Sequence, residues 1–236
     1  PMLSEKELMM VEGMDVQTAR CLQLFITFQQ SDKEEHKPTL KNIFNYGKHE
    51  LSTRLDIPFY TRAGYQPYTS EYIEEHPNKR YLGNAYYHNV RYSFRYSDKV
   101  YVGLTAEKDA GEPFFAGCNK KGYDYYSPYL LIKDMGKIHA LALGNYRLNY
   151  GYGLVMNTDF GLGKTAKGIK KHSSTDEYNY FQGIAGSVYL TDRLTMDAFY
   201  SYRTMDGIVD NQFITSIKED GYHRIPRDLE KKNTFS

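Results

Sequence analysis

The chain has 236 residues, of which 30 are basic and 29 acidic, so its formal net charge is +1. A chain so close to neutral lacks the overall field that steers a protein toward nucleic acid or an anionic membrane. Its mean hydropathy is −0.65, and no apolar run approaches the roughly 18–20 residues of a membrane-spanning helix. A helical membrane protein is therefore excluded, but membrane-spanning strands are not, because they need only about 9–11 residues, half of them polar.

Residues 1–30 have the pattern of a small α-helical hairpin. Gly13 suits a tight turn between two helices, because glycine adopts positive φ angles freely. Asp15 follows it as a favourable N-cap for the second helix. The stretch 29–39 is charged, lacks apolar residues and contains a proline, which predicts a linker; we place this linker at 31–44.

Beyond the linker, large apolar residues recur at every second position, which is the period of a β-strand. Tyr92 and Phe94, for example, alternate with Arg91 and Arg95. This alternation recurs up to residue 204 and predicts seven strands. The stretch 212–219 is a candidate for an eighth strand.

The connections between the predicted strands differ in length. Three are tight turns, at 97–99, 134–137 and 191–193, and the others are long. If the strands run up and down, the short turns fall at one end of the sheet and the long loops at the other, as in outer-membrane barrels. We therefore predict an all-β fold, an antiparallel up-and-down transmembrane β-barrel, complete or partial. It spans 45–236 with long extracellular loops and follows the helical hairpin of 1–30.

In such a barrel the two faces of the strands contact different solvents. The residues predicted to face lipid are Val90, Tyr92, Phe94, Val102, Leu104, Val188 and Met196. The residues predicted to face a polar interior are Arg91, Arg95, Glu107, Arg147, Asp197 and Arg203. Closing the sheet satisfies every backbone group, as hydrocarbon requires. A soluble β-sandwich has the same alternation but buries its apolar face, and it stays an alternative.

Several longer stretches together resemble a known family. They are ELMMVEGMD (7–15), EKDAGEPFF (107–115), LALGNY (141–146) and GYHRIPRDLEKKN (221–233). These stretches resemble the helix-hairpin-helix-containing outer-membrane β-barrel proteins of Bacteroidetes, and the resemblance covers nearly the whole chain. It implies a location in the bacterial outer membrane with the hairpin in the periplasm. It also implies contact with outer-membrane lipid and other envelope proteins, and a barrel that continues beyond the last motif.

Gly13, Met14 and Arg20 are the residues through which the hairpin would contact DNA or a protein partner. Hairpins that bind DNA present backbone N–H groups to a phosphate, usually with the help of a second glycine. Here Asp15 takes that position and Glu12 adds another negative charge, so a phosphate would be repelled. A structural or protein-binding hairpin is favoured, and contact with nucleic acid stays a weaker alternative.

The sequence contains no persuasive catalytic or metal-binding pattern. The stretch GLGKT (161–165) lacks the upstream glycine of a phosphate-binding loop, and the histidines have no metal-ligand spacing. Glu107, Asp109 and Glu112 form a dense run of carboxylates, without a nucleophile or base at readable spacing. We expect these carboxylates to fold a loop or to face the barrel interior.

A basic loop follows the glycine-rich stretch, with lysines at Lys164, Lys167, Lys170 and Lys171. These side chains are suited to an anionic glycan or a partner, although a solvated loop is the default interpretation. We expect a non-enzymatic protein without a cofactor, acting as a scaffold or transport component of an envelope complex. The alternatives are a DNA-binding or DNA-uptake component that acts through the hairpin, and a soluble carbohydrate-binding β-sandwich.

Overall fold

The computed structural model describes residues 15–23, 38–117, 119–158, 168–210 and 213–232. The chain divides into two compact units, Pro1–Lys37 and Pro38–Ser236. Within the described residues, no helix is long and apolar enough to cross a membrane.

The first unit contains helix α1 (Val16–Gln23). The Asp15 side chain accepts a 2.8 Å hydrogen bond from the backbone N–H of Thr18, which confirms the predicted N-cap. Gly13 and Met14 lie outside the described residues, as does the first predicted helix of the hairpin. Arg20 lies in α1, but its side chain is outside what the structure describes.

The second unit is an antiparallel β-sheet. Its strands are β1 (Lys48–Asp56), β2 (Tyr87–Tyr96), β3 (Val100–Lys108), β4 (Tyr125–Met135), β5 (Ile138–Tyr150), β6 (Met156–Asn157), β7 (Gly168–Lys171), β8 (Phe181–Thr191) and β9 (Leu194–Ser201). The seven long strands pair in chain order, and the short β6 and β7 pair with the second half of β5. The all-β prediction is confirmed, and the seven long strands match the seven predicted ones, whereas the short β6 and β7 lie in a stretch predicted to be a loop. Within the described residues, β1 and β9 form the two edges and do not pair with each other.

The tight turns of this sheet lie where the sequence predicts them. They join β2 to β3, β4 to β5, and β8 to β9. Because each turn joins antiparallel neighbours, all three lie at one end of the sheet. The long connections, at 57–86, 109–124 and 151–180, lie at the other end.

The strand register defines two faces, because directly paired residues of an antiparallel ladder share a face. One face, called here the apolar face, carries all seven residues predicted to contact lipid, with Leu130, Leu143 and Ile184. The opposite face, called the polar face, carries Arg91, Arg95, Glu107 and Asp197, with Thr105, Ser127 and Tyr129. On the apolar face, Leu104, Ile184 and Met196 are 40%, 45% and 52% exposed.

Helix α2 (Leu40–Tyr46) lies where the sequence analysis places the end of the linker and the start of the sheet. The Thr39 hydroxyl caps its first turn by accepting a 3.4 Å hydrogen bond from the Asn42 N–H. Ile43 packs against a cluster that includes Phe94. Phe94 lies on the apolar face, but it is only 8% exposed as a result.

The remaining elements lie outside the main sheet. Helix α3 (Ser70–Glu75) belongs to the long connection after β1, and helix α4 (Pro226–Glu230) begins at a proline, which suits the first position of a helix. Strands β10 (Gly207–Asp210) and β11 (Phe213–Ile217) pair only with each other among the described residues. The prediction that 212–219 supplies an eighth strand of the main sheet is therefore wrong.

Gly144 interrupts the alternation along β5. Its φ angle is +85°, and a Cβ there would lie 2.4 Å from the Pro128 carbonyl oxygen. Strict alternation from Leu143 would place Asn145 on the apolar face. Instead the Asn145 amide donates a 3.0 Å hydrogen bond to the Ser127 hydroxyl on the polar face. Glycine is needed here because a side chain would meet both the strained backbone angle and the neighbouring strand.

Candidate functional site

Two of the motifs that carry the family resemblance meet in space. The Glu112 carboxylate accepts a 2.8 Å hydrogen bond from the Asp109 N–H and another of 2.8 Å from the His223 N–H. Glu112 is 2% exposed. A Cβ on Gly83 would lie 1.7 Å from the Glu112 carbonyl oxygen, so only glycine allows this approach. Glu112 therefore folds its loop against the C-terminal stretch, which is one of the two roles expected for it.

His223 lies at the centre of this contact. Its Nε2 is 2.6 Å from the Asp206 carboxylate, and its Nδ1 contacts the Asp124 carboxylate. Lys232 also contacts Asp124. We call Glu112, Asp124, Asp206, His223 and Lys232 the ionic cluster. With a carboxylate at each ring nitrogen, both nitrogens act as donors, so the ring is an imidazolium.

The pKa values of the ionic cluster follow from its burial and its contacts. Burial alone lowers the pKa of His223, but the hydrogen bonds to Asp124 and Asp206 outweigh it and raise this pKa to about 9. For Asp124, burial raises the pKa, and the His223 contact outweighs it, so the pKa is lowered overall. The two directions agree, as expected for an ion pair.

The carboxyl groups of Glu177 and Glu112, which lie near Asp124, have too few cations close by to balance their charge. Burial raises the pKa of Glu177 to about 9, and the charges of Asp124 and Glu112 add to this effect. Burial also raises the pKa of Glu112, with a further contribution from Asp124. With a pKa of about 9 the Glu177 carboxyl group keeps its proton at neutral pH, because like charges close together in a low dielectric are costly.

The same groups offer the donor atoms of a metal site. Ligand atoms of Glu112, Asp124 and His223 lie within 4.8 Å of one another, and carboxylate and imidazole are ligands of Zn²⁺. A metal ion would need a ring nitrogen of His223 with its lone pair free. In the observed arrangement each ring nitrogen of His223 donates to a carboxylate. The ring therefore carries protons at the positions where a metal ion would need a lone pair.

We expect the thermal midpoint of unfolding to be the same with EDTA and with added Zn²⁺ or Ca²⁺. The reason is that Asp124 already pairs with the His223 imidazolium, and Glu112 already accepts backbone hydrogen bonds from Asp109 and His223. Differential scanning calorimetry measures this directly. A midpoint that rises with metal concentration and saturates would contradict the expectation, because ligands that bind only the folded state stabilise it by mass action.

The segment after β7 lies over the polar face. The Thr105 hydroxyl donates to the Ser173 carbonyl oxygen at 3.4 Å, and the Ser127 hydroxyl donates to the His172 carbonyl oxygen at 3.3 Å. The Tyr125 hydroxyl lies 3.0 Å from His172 Nε2. His172 and Ser127 are both fully buried. The part of this face under the loop is therefore polar and hydrogen-bonded, whereas the same face towards the turns buries an apolar cluster that includes Leu131, Ala142 and Ala185.

The structure brings Arg147 and Arg203 to this same segment. Arg147 forms a 3.0 Å ion pair with Asp176. Arg203 stacks 4.3 Å from the ring centroid of Tyr180 and donates to the Tyr178 carbonyl oxygen at 2.5 Å. Both arginines therefore hold the loop in place.

The other residues predicted to face the interior occupy different parts of the polar face. Glu107 accepts a 2.5 Å hydrogen bond from the Tyr87 hydroxyl. Asp197 lies on the exposed edge strand β9, opposite Ser187. Arg91 and Arg95 lie on β2, near the tyrosines of the neighbouring strands.

Comparison with known proteins assigns no family. No protein-family model matches the chain, and neither a curated protein nor a solved structure matches it. The resemblance of the sequence motifs to outer-membrane β-barrel proteins therefore stays a prediction.

The sequence analysis did not find the ionic cluster. His223 is separated from Asp124 by 99 residues and from Glu112 by 111, and no local pattern joins positions so far apart. The available signal was compositional, because both motifs are dense in carboxylates and cations, which are rarely buried unless they are paired.

Proposed function

We propose that this chain forms part of the wall of a β-barrel in the bacterial outer membrane, as a non-enzymatic scaffold or transport component of an envelope complex. The observation that carries the proposal is the distribution of exposed apolar side chains. Leu51, Leu104, Ile184 and Met196 lie on one face of the sheet and are 40–67% exposed.

A large exposed apolar face needs a partner. Monomeric soluble proteins seldom expose contiguous apolar patches of more than a few hundred Å². The apolar face runs across all seven long strands, which is the arrangement that acyl chains would cover. In this proposal the outer-membrane lipid is the first partner of the chain.

The opposite face favours the membrane interpretation over a soluble sandwich. A sandwich buries its apolar face and leaves its polar face in water. Here the polar face buries Thr105, Ser127 and Glu107 beside an apolar cluster around Leu131 and Ala142, and a loop covers part of that face through hydrogen bonds. This combination is expected of a barrel wall with an inward-folded loop.

Among the residues that the structure describes, the outer edges of β1 and β9 are unpaired, and this adds a requirement to the proposal. In hydrocarbon an unpaired strand edge costs several kcal/mol per backbone group, so membrane sheets close on themselves. The proposal therefore includes further strands that pair with β1 and β9.

Membrane fractionation tests the location. We expect the protein to sediment with the outer membrane and to stay there after washes with high salt and alkaline carbonate, because strands held in lipid are not released by breaking ionic contacts. Immunoblots of the fractions measure this. Recovery of the protein in the aqueous phase, without detergent, would support the soluble sandwich instead.

A further inference from the structure

Four cations lie close together on or over the polar face: Arg91 and Arg95 on β2, Lys133 on β4, and Lys171 on β7. We call them the basic group. They surround two tyrosine rings. Lys171 Nζ lies 5.1 Å from the ring centroid of Tyr101 and 5.2 Å from that of Tyr129. Lys133 Nζ lies 5.9 Å from the ring centroid of Tyr101.

The basic group is only partly balanced in the part of the chain that the structure describes, where the charge of Glu50 on β1 acts on Lys171. Its four members form no ion pair with any described carboxylate. The Nε of Arg91 is buried without a hydrogen-bond partner. The nearby Asp134 is already paired with His139 at 2.9 Å. An anion would relieve the repulsion among these cations and form charge-assisted hydrogen bonds with them.

A cavity of about 810 Å³ is lined by Lys133, Lys171 and Tyr101 and also by Asp134, while the two arginines of the basic group lie outside its lining. This volume lies within the range of roughly 300–1,000 Å³ that is usual for small-molecule sites. Across the sheet from the lysines, the cavity is lined by Ser187, Thr195 and Asp197. These side chains offer both donors and acceptors, which suits the hydroxyl groups of a sugar, while a tyrosine ring offers a flat apolar surface for its ring face.

We propose that this cavity binds an acidic sugar. Lys133 and Lys171 hold the carboxylate or phosphate of the ligand, and the polar groups on β8 and β9 bind its hydroxyls. The inference rests on the proposed function only in that the polar face is the wet interior of a barrel.

Isothermal titration calorimetry on the full chain in a non-ionic detergent tests the proposal. The probes are glucuronate and glucose 6-phosphate, with glucose and inorganic phosphate as controls. We expect both acidic sugars to bind at least about tenfold more tightly than either control, because only they engage both ends of the cavity. Absence of binding overturns the proposal. So does equal affinity for phosphate and glucose 6-phosphate, which would indicate a simple anion site.

Variants locate the binding. Lys171→Met is expected to weaken acidic-sugar binding by about tenfold or more, and Lys171→Arg to preserve most of it. The exposed Lys79 provides a matched control, and Lys79→Met is expected to bind as the wild type does.

The thermal midpoint of the ligand-free Lys171→Met protein should stay near that of the control, because relief of repulsion offsets the lost contacts with tyrosine. Wild-type affinity in folded Lys171→Met overturns the assignment. Since the readout is binding, its failure is distinct from a failure of membrane fractionation.

Discussion

Met196→Arg is expected to lower the free energy of unfolding of the membrane-inserted protein by about 2–4 kcal/mol, the cost of an arginine on the lipid face near the bilayer midplane. Met196 is 52% exposed and pairs with Val188 on the apolar face, so the proposed barrel places its side chain in hydrocarbon. If that face met water, an exposed substitution would change stability by no more than about 0.5 kcal/mol. Urea titration of the protein in lipid vesicles measures the difference.

Thr195→Arg is the matched control, because Thr195 is the preceding residue of the same strand. It pairs with Tyr189 on the polar face, next to Asp197. An arginine there would stay in a wet interior beside a carboxylate, so we expect little change in the free energy of unfolding. Similar losses for the two variants would contradict the assignment of faces.

The sheet could be predicted from the sequence because its determinants are local. The alternation of Tyr92 and Phe94 with Arg91 and Arg95 needs only the period of two that a strand imposes. The tight turns at 97–99 and at 134–137 likewise follow from residues adjacent in the chain. Once the strands pair in register, the alternating residues of successive strands lie on the same two faces of the sheet.

Two features that depart from the regular alternation of a strand, a short helix and a glycine within β5, were harder to predict. Helix α2 is only seven residues long, too short to give a clear helical pattern beside a charged linker. The positive φ angle of Gly144 changes which face Asn145 occupies, and a glycine within an alternating strand was its only signal.

Contacts between distant loops could not be predicted at all. The ionic cluster joins loops that precede β4 and follow β9 to the C-terminal stretch. Long connections bring these groups together. The sequences of such loops have no regular alternation of apolar and polar residues from which their contacts could be predicted. The basic group is a partial exception, because Arg91 and Arg95 share a predicted face. The position of Lys171 beside them depends on the fold of the loop.

His223→Leu is expected to cost about 3–5 kcal/mol of stability, because it removes the imidazolium that pairs with the buried carboxylates of Asp124 and Asp206. The side chains of Asp124 and Asp206 are only 9% and 14% exposed, so water cannot replace the lost hydrogen bonds fully. Urea unfolding at neutral pH measures the loss. His76→Gln serves as the control because His76 is exposed, and a comparable loss in that variant would remove the special role assigned to His223.

The contacts of His223 also predict that stability falls as the pH rises from about 6.5 to about 9. The pKa of His223 is raised from 6.5 to about 9, so its contribution is complete below the lower value and is lost as the imidazolium deprotonates. A shift of this size corresponds to about 3 kcal/mol.

The raised pKa of Glu177, also about 9 and due first to burial, acts in the same direction, because ionising a buried carboxyl opposes folding. The lowered pKa of Asp124 matters only in acid. Free energies of unfolding at pH 6 and pH 9 should therefore differ more for the wild type than for His223→Leu, which loses the His223 contribution and keeps those of the buried carboxyl groups such as Glu177. A wild type that is more stable at pH 9 would show that His223 is not held as an imidazolium.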